Sequence, residues 1–457
     1  MGFHYFTKGL NLPITGQPVQ EIEDAVSPRH VAILAADSVG LRAQMHVSVG
    51  DDVRRGQLLF EDKKTPKVRY TATATGTITK INRGARRALH SVVIGLSREE
   101  REGKKPSEVT LRSFSGRHPT GLNSDDVREL LIESGLWVTL RSRPFGRVAD
   151  PSIRPNSIFI TAIDTQPLSP SLDLVMSDLA EPFTRGLSAL CRLTDGPVFV
   201  CTAPESTLDF QTSDQVRHEQ FSGPHPVGTV GLHIHTLDPV DRKKVVWHIG
   251  VQDVATIGKL FQTGSLYVNR VISLGGPSVR RPRLLRTRLG VSLDEILSDQ
   301  LENVETRIIS GSVLTGRATV GSDLGYLGRY HQQVSVLEEG REREFFGWLK
   351  PGLNKFSSIS TFISTLLPGK QFRFTTTTNG SQRAIVPIGM FESVMPFDLM
   401  ITTLLRSLVM GDVDRAEELG CLELDEEDLA LCSFVCSGKN DYGPHLRYVL
   451  DAIEREG

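Results

Sequence analysis

Between Gln44 and Leu96 apolar and polar positions alternate in short segments rich in β-branched residues, Gln44–Val49, Gln57–Glu61, Val68–Ala72, Gly76–Asn82 and Ser91–Leu96, with glycines between them. A period of two residues is the mark of a half-buried strand, so this stretch reads as all-β. In Val47-Ser48-Val49-Gly50-Asp51-Asp52-Val53-Arg54-Arg55-Gly56-Gln57-Leu58-Leu59 the alternation stops at Gly50-Asp51 and again at Gly56-Gln57. Two tight turns so spaced fold a small sheet back on itself, and Gly76-Thr77-Ile78 is expected to form a third corner.

The pattern then changes period. Ser157–Ala162 and Pro197–Thr202 are continuous apolar runs, and between them Leu172, Val175, Met176, Leu179, Leu187 and Leu190 recur at near-helical spacing. Strand, helix, strand is a parallel crossover unit. Val245–Ile249 and a helix over Gln252–Gln262, stopped by Gly264, complete a three-layer α/β region expected at 112–264. Leu266–Leu274, the turn Gly275-Gly276-Pro277 and Arg307–Ser310 return to β character. Ser292 and Glu295 between them have capping-box spacing, so a short helix crosses a small mixed sheet, a β-grasp module over 265–330. Leu399, Leu404, Leu405 and Leu408, then Leu429–Val435 and Leu446–Ile453, make the remainder, 331–457, a linker followed by a helical region.

Size and composition narrow the function. A chain of 457 residues fits several cores, and a formal net charge of -2 gives no global attraction to nucleic acid or membrane. Leu399–Met410 is too short to span a bilayer and contains Arg406. Met1–Leu12 has no signal-peptide pattern, so a cytoplasmic location is expected. Five cysteines, Cys191, Cys201, Cys421, Cys432 and Cys436, are too sparse for a disulfide framework.

Phosphate cradles need glycines where backbone amides approach the ligand, and the chain has no Gly-x-Gly pair and no complete P-loop. Cys421, Cys432 and Cys436 are spaced C-x10-C-x3-C, unlike the clustered cysteines that hold iron-sulfur centres. Five of the 12 histidines fall between His218 and His248, and His233-Ile234-His235 would put two imidazoles on one side of a strand. A zinc site there would need His225 and Asp238 as further ligands; a shaped loop at a strand end, Ser222-Gly223-Pro224-His225-Pro226-Val227-Gly228-Thr229-Val230-Gly231, is the preferred reading. Arg280-Arg281-Pro282-Arg283 and Arg286-Thr287-Arg288 lack the interleaved aromatics of a nucleic-acid surface and are expected to face solvent or a partner.

Two resemblances follow. The Val47–Leu59 phrase resembles biotinyl and lipoyl carrier domains, which makes residues 1–111 a barrel-sandwich hybrid with an N-terminal extension. Glu61-Asp62-Lys63-Lys64 falls near the lysine that such carriers modify, but Thr65-Pro66-Lys67 skews the hairpin, so an unmodified scaffold loop is expected. Lys8-Gly9-Leu10-Asn11-Leu12-Pro13-Ile14, Phe159-Ile160-Thr161-Ala162-Ile163-Asp164-Thr165, Gly223-Pro224-His225-Pro226, Val246-Trp247-His248-Ile249-Gly250, Tyr330-His331-Gln332-Gln333-Val334-Ser335-Val336-Leu337 and Tyr442-Gly443-Pro444 together resemble the A subunits (NqrA family) of the bacterial Na+-translocating NADH:quinone oxidoreductases, over essentially the whole chain. Ser437 departs from that family, where proline is expected after Cys436.

The family resemblance implies an α+β multidomain chain: carrier-like, α/β, ligand-binding β-grasp and helical regions in order. It implies a peripheral location on the cytoplasmic face of the inner membrane, in a six-subunit complex lettered A to F, next to the hydrophobic B subunit. This chain would bind no cofactor; NADH, flavins and iron centres would belong to partner subunits, and ubiquinone would be the substrate of the complex, whose turnover drives Na+ outward. The alternatives are an Rnf-type electron-transport subunit, whose ferredoxin motifs are absent here, and an acyl or biotinyl carrier. For quinone, an apolar cleft with a donor for each carbonyl is needed; Phe221, Gly223, His225, Gly228 and Gly231 are the candidates. Docking on a membrane partner is expected to use Arg280–Arg288 and Phe345-Phe346-Gly347-Trp348.

Overall fold

A computed structural model describes residues 2–104, 107–341, 350–359 and 361–456; the string Phe345-Phe346-Gly347-Trp348 lies outside them. The N-terminal β region forms two small sheets. His30–Leu34, Leu89–Leu96, Gly76–Arg83 and Asp52–Val53 make one, and Ala43–Met45, Leu58–Asp62 and Arg69–Thr71 the other. Val31, Val53, Leu59, Phe60, Ile78 and Ile94 are buried between them. Gly50 (φ +96°) and Gly56 (φ +83°) turn the chain where the alternation stops. Gly76 is not a corner: it opens a strand, and a Cβ there would lie 1.9 Å from the Gly95 carbonyl oxygen, so glycine is required for close strand approach. Lys63 and Lys64 are exposed, and Asp62 accepts from the amides of Arg42 and Lys64 (3.0 Å each), which ties this loop to a neighbouring strand.

The α/β region contains a seven-stranded sheet in the order Gly2–Tyr5, Val216–Ser222, Val198–Thr202, Ile158–Ala162, Val246–Gly250, Arg141–Arg143, Arg147–Val148. The first five strands are parallel, and the last two form an antiparallel edge. Alternation along the strands divides the core. Ile158, Ile160, Val198 and Val200 face the helices Ala180–Leu190 and Val251–Thr263, while Phe159 and Phe199 (ring centroids 4.9 Å apart) face the helix Val230–Leu237 and the C-terminal helices. The C-terminal region thus supplies the third layer of the α/β sheet. The helices Ala180–Leu190 and Val251–Thr263 cross in backbone contact: a Cβ on Gly258 would lie 1.7 Å from the Pro182 carbonyl oxygen, and one on Gly186 2.0 Å from that of Val254. Gly264 (φ +71°) ends the second helix, as the sequence predicts.

The mixed sheet of the third region runs Arg317–Ala318, Thr306–Ser310, Gln333–Glu338, Asn269–Gly275, Arg283–Arg288, Val19–Asp24. It draws strands from before residue 265 and after residue 330, where sequence alone gave no sign that distant segments pair. The crossing helix, Leu293–Ile296, has no side-chain cap from Ser292, so the expected capping box is absent. Glu295 instead accepts from the Arg29 amide (2.5 Å) and pairs with His30 Nδ1 (2.7 Å), joining this sheet to the N-terminal sandwich. The arginine run is largely consumed within the fold: Arg281 and Arg283 pair with Glu23, Arg286 with Asp24, and Arg288 with Glu100. His233-Ile234-His235 is helical rather than extended, because it opens the layer that covers the sheet.

Candidate functional site

Chain order and strand order in the α/β sheet part beside Ile158–Ala162. From Ile158–Ala162 the chain steps outward through Val198–Thr202 to Val216–Ser222, then returns to lay Val246–Gly250 on the opposite side of Ile158–Ala162. Beyond the carboxyl ends of two such strands the connecting loops diverge and leave a crevice. A cavity of about 690 Å³ opens there, lined by Thr161, Ile163 and Asp164 from one strand end and by Ile249 and Gly250 from the other. Each other region adds a wall: Asp37 and Val39 of the sandwich, Leu314, Arg317, Arg329 and His331 of the mixed sheet, and Asp425, Glu427 and Arg447 of the C-terminal region.

Two helix N-termini reach this space. Gly228, Thr229 and Val230 begin one helix, and Gly250 caps another whose first turn contributes Gln252 and Asp253. The positive ends of their helix dipoles bias the cavity toward electron-rich groups. Asp253 is held by Arg270 and by Arg329 (2.9 Å), and burial, which works against its charge, is outweighed by these cations, so its pKa lies below the usual range. Asp37 accepts from Arg317 Nη1 (2.9 Å) and from the Arg329 amide (2.8 Å). Several polar atoms around the cavity have no hydrogen-bond partner among the described residues: His248 Nε2, Gln166 Oε1, Arg317 Nε and Nη2, and Arg329 Nη1. Orphaned buried donors are costly unless a ligand or solvent meets them, which marks this space as built to be filled.

Opposite lies a turn of four acids. Arg143, fully buried, reaches Asp428 (3.0 Å), Glu427 (3.2 Å) and Asp425 (3.5 Å), and Arg447 binds Asp425 (2.7 Å) and Glu426 (2.6 Å). Burial raises Asp425, but Arg143 and Arg447 hold it low; Glu426 is pushed up to about 7 by burial and by its bond to Asp425. Asp164 stands apart from these pairs. It accepts the Gln166 amide (2.8 Å) and has no ion pair among the described residues, and burial, with Glu427 adding to it, raises its carboxyl to about 7. His331, paired with Ser310 Oγ (2.8 Å), is lowered by burial to about 4 and is therefore neutral.

The five residues proposed from sequence lie around one wall of this cavity, and of the five only Gly228 lines it. Phe221 is fully buried against His4 and His233 (centroids 4.8 and 4.2 Å). Gly223 (φ +143°) passes so close to Phe6 that a Cβ would lie 2.3 Å from its carbonyl oxygen. His225 is 1% exposed, neutral because burial lowers it to about 4, and pairs through Nδ1 with Thr165 Oγ1 (3.1 Å). The Gly228 amide donates to the same Thr165 oxygen (2.9 Å). A Cβ at Gly231 would come within 2.2 Å of Asp428 Oδ1. Except for Gly228, then, these residues form the packed joint between strand end and C-terminal helices. The sequence reading did not assign a role to Asp164, His248, Arg317 or His331. An acid two residues past a buried parallel strand was the available signal for Asp164.

The crowded histidines go to separate partners: His218 to Thr202 (2.8 Å), His233 to the Val227 carbonyl (2.9 Å) and His235 to Glu423 (2.7 Å). Among the described residues no group of three or more His, Cys, Asp or Glu side chains is arranged to hold a metal ion. Cys201, Cys421, Cys432 and Cys436 are buried free thiols.

Three family models match the chain: the NqrA N-terminal barrel-sandwich hybrid domain over residues 5–97, the NqrA second alpha/beta domain over 122–266, and the NQRA C-terminal domain over 271–321. Curated relatives match almost end to end. The A subunit of the Na(+)-translocating NADH-quinone reductase of Yersinia pestis bv. Antiqua (strain Angola) is 50% identical over 450 residues, 98% of this chain and 99% of the relative. The A subunits of the same name from Marinomonas sp. (strain MWYL1) and Vibrio alginolyticus are 51% identical over 451 residues and 50% identical over 450, covering 99% of each relative and 99% and 98% of this chain. Among solved structures, an NAD+-reducing [NiFe]-hydrogenase chain aligns with 50% of this chain and 49% of its own at a TM-score of 0.36 and 13% identity, too distant to carry an inference.

Proposed function

The chain belongs to the family of Na(+)-translocating NADH-quinone reductase A subunits, and from that premise we propose that it serves the quinone-reducing end of such a complex and receives the quinone headgroup in the switch-point cavity. The observation that carries this reading is the coincidence, in a cavity of about 690 Å³, of apolar walls with unpartnered donors. A quinone needs a flat apolar slot and a donor for each of two carbonyl oxygens. Ile163, Ile249 and Leu314 offer the slot; His248, Arg317 and Arg329 offer donors. Gly228 remains in the proposed site, whereas Phe221, Gly223, His225 and Gly231 shape the wall behind it.

NADH oxidation, flavins and iron centres belong, in this reading, to the other subunits, with the hydrophobic B subunit as the immediate neighbour at the cytoplasmic membrane face. Among the described residues no helix is long and apolar enough to cross a membrane, so docking must supply access to a lipid-soluble substrate. Leu353 (52% exposed), Ile363 (50%) and Leu366 (76%) project from one folded loop and suit an apolar partner surface better than the internally paired arginine run. In membranes that lack this chain, NADH oxidation by artificial acceptors should persist while quinone reduction and Na+ transport fail. Normal quinone reduction without the chain would overturn the reading.

A further inference from the structure

Asp164 is a carboxyl in the cavity that no cation among the described residues neutralises. It follows Ile158–Ala162 at the switch point, lines the space, and accepts a hydrogen bond from the Gln166 amide at 2.8 Å. Of the six other acids that line the cavity, five have a cationic partner: Asp37 has Arg317, Asp253 has Arg270 and Arg329, Asp425 has Arg143 and Arg447, Glu426 has Arg447, and Glu427 has Arg143; the sixth, Asp441, is exposed to solvent. A site that supplies five guanidiniums and withholds them from Asp164 favours the neutral form of that acid. Neutral carboxyls in ligand cavities are donors of a hydrogen bond and then of a proton.

We propose that Asp164 is the acid that protonates the bound quinone oxygen. This rests on the reading that the cavity takes the quinone headgroup. Two electrons reach the quinone from NADH through the rest of the complex, and two protons complete the quinol. As the first quinol O–H bond forms, the Asp164 O–H bond breaks and leaves a carboxylate; bulk solvent returns that proton and supplies the second one. The groups facing Asp164 across the cavity suit the cycle. Glu427 on the acidic turn disfavours a lasting negative charge, whereas the Gln166 amide, which donates to the Asp164 carboxyl, stabilises a transient one. His248 on the adjacent strand and His331 on the opposite wall are neutral by burial and do not compete as acids, and Asp37 and Asp253 are committed to their arginines. Burial lifts Asp164 to about 7, so the acid form is present through neutral pH and is lost above it.

The test uses the assembled complex with ubiquinone-1 as acceptor. Asp164→Asn keeps shape and removes the proton; kcat for ubiquinone-1 should fall on the order of 100-fold or more, with KM within about threefold and the alkaline fall of the pH profile abolished. Asp164→Glu should restore part of kcat and shift that fall. A second variant, Leu314→Trp, fills the cavity and separates the two claims. If Leu314→Trp raises KM for ubiquinone-1 while Asp164→Asn retains wild-type kcat and pH profile, the acid assignment is wrong. If Leu314→Trp leaves KM unchanged, the quinone is elsewhere and the cavity reading itself fails.

Discussion

Replacing Arg143 by methionine should destabilise the joint between the α/β sheet and the C-terminal helices more than any exposed ion-pair loss in the chain. Arg143 is fully buried and its guanidinium lies 3.0 Å from Asp428, 3.2 Å from Glu427 and 3.5 Å from Asp425, with the Glu423 carbonyl at 3.3 Å. Methionine fills much of the volume but strands the buried Asp428 and leaves Asp425 to Arg447 alone. Removal of one partner from a buried pair costs about 3–5 kcal/mol, because the remaining charge is desolvated and uncompensated. For a cooperative unit of the size of the α/β region this is a fall in Tm of roughly 6–20 °C. The loss should depend on pH. In the native protein Asp425 is held low despite burial, so its contribution is present above its unfolded pKa and disappears as pH falls through the folded one. Without Arg143 only Arg447 opposes the burial of Asp425, so its folded pKa rises, and the penalty grows as pH rises. Calorimetric melts of R143M and wild type at pH 5 and pH 8 measure this, and Asp428→Asn added to R143M should recover part of the deficit. A Tm within about 3 °C of wild type at pH 8, or a deficit larger at pH 5, would refute the reasoning.

Gly258→Val should lower stability by more than about 2 kcal/mol through overpacking, because a Cβ already sits 1.7 Å from the Pro182 carbonyl oxygen; an unshifted thermal melt would contradict the helix crossing. Asp164→Asn should raise Tm at alkaline pH: the native acid has its folded pKa raised to about 7, so stability present below its unfolded pKa is lost as pH climbs through 7, and the amide has nothing to lose. Equal melts for the two proteins at pH 8 would count against it. The native chain should have the intact mass of its sequence, without lipoyl or biotinyl increments on Lys63 or Lys64, and a mass-shifted tryptic fragment would show otherwise.

What the sequence disclosed and what it hid divide along physical lines. Gly50, Gly56 and Gly264 could be read because a positive φ is a local requirement, and Ile158–Ala162 because a strand buried on two faces is mostly apolar. Partnership between distant segments left no such trace. Gly2–Tyr5 and Val19–Asp24 are short and partly exposed, yet they close the edges of two different sheets. Ser292 and Glu295 have the spacing of a capping box, but His30 and the Arg29 amide compete for the Glu295 carboxylate and win. The same limit applied at the cavity. The His225 loop was visible from its glycines and prolines, whereas Asp164, His248 and Arg317 stand more than 60 residues apart in sequence and meet only because the strand order reverses between Ile158–Ala162 and Val246–Gly250.

The most direct measurement is steady-state reduction of ubiquinone-1 by the assembled complex carrying Leu314→Trp. The indole would occupy the space between the strand ends and the mixed-sheet wall. The expected result is a KM for ubiquinone-1 raised on the order of tenfold or more, the loss of about 1.4 kcal/mol or more of binding, with NADH-dependent reduction of an artificial acceptor unchanged. An unaltered KM for ubiquinone-1, with the variant chain present in stoichiometric amount, would contradict a quinone site in this cavity.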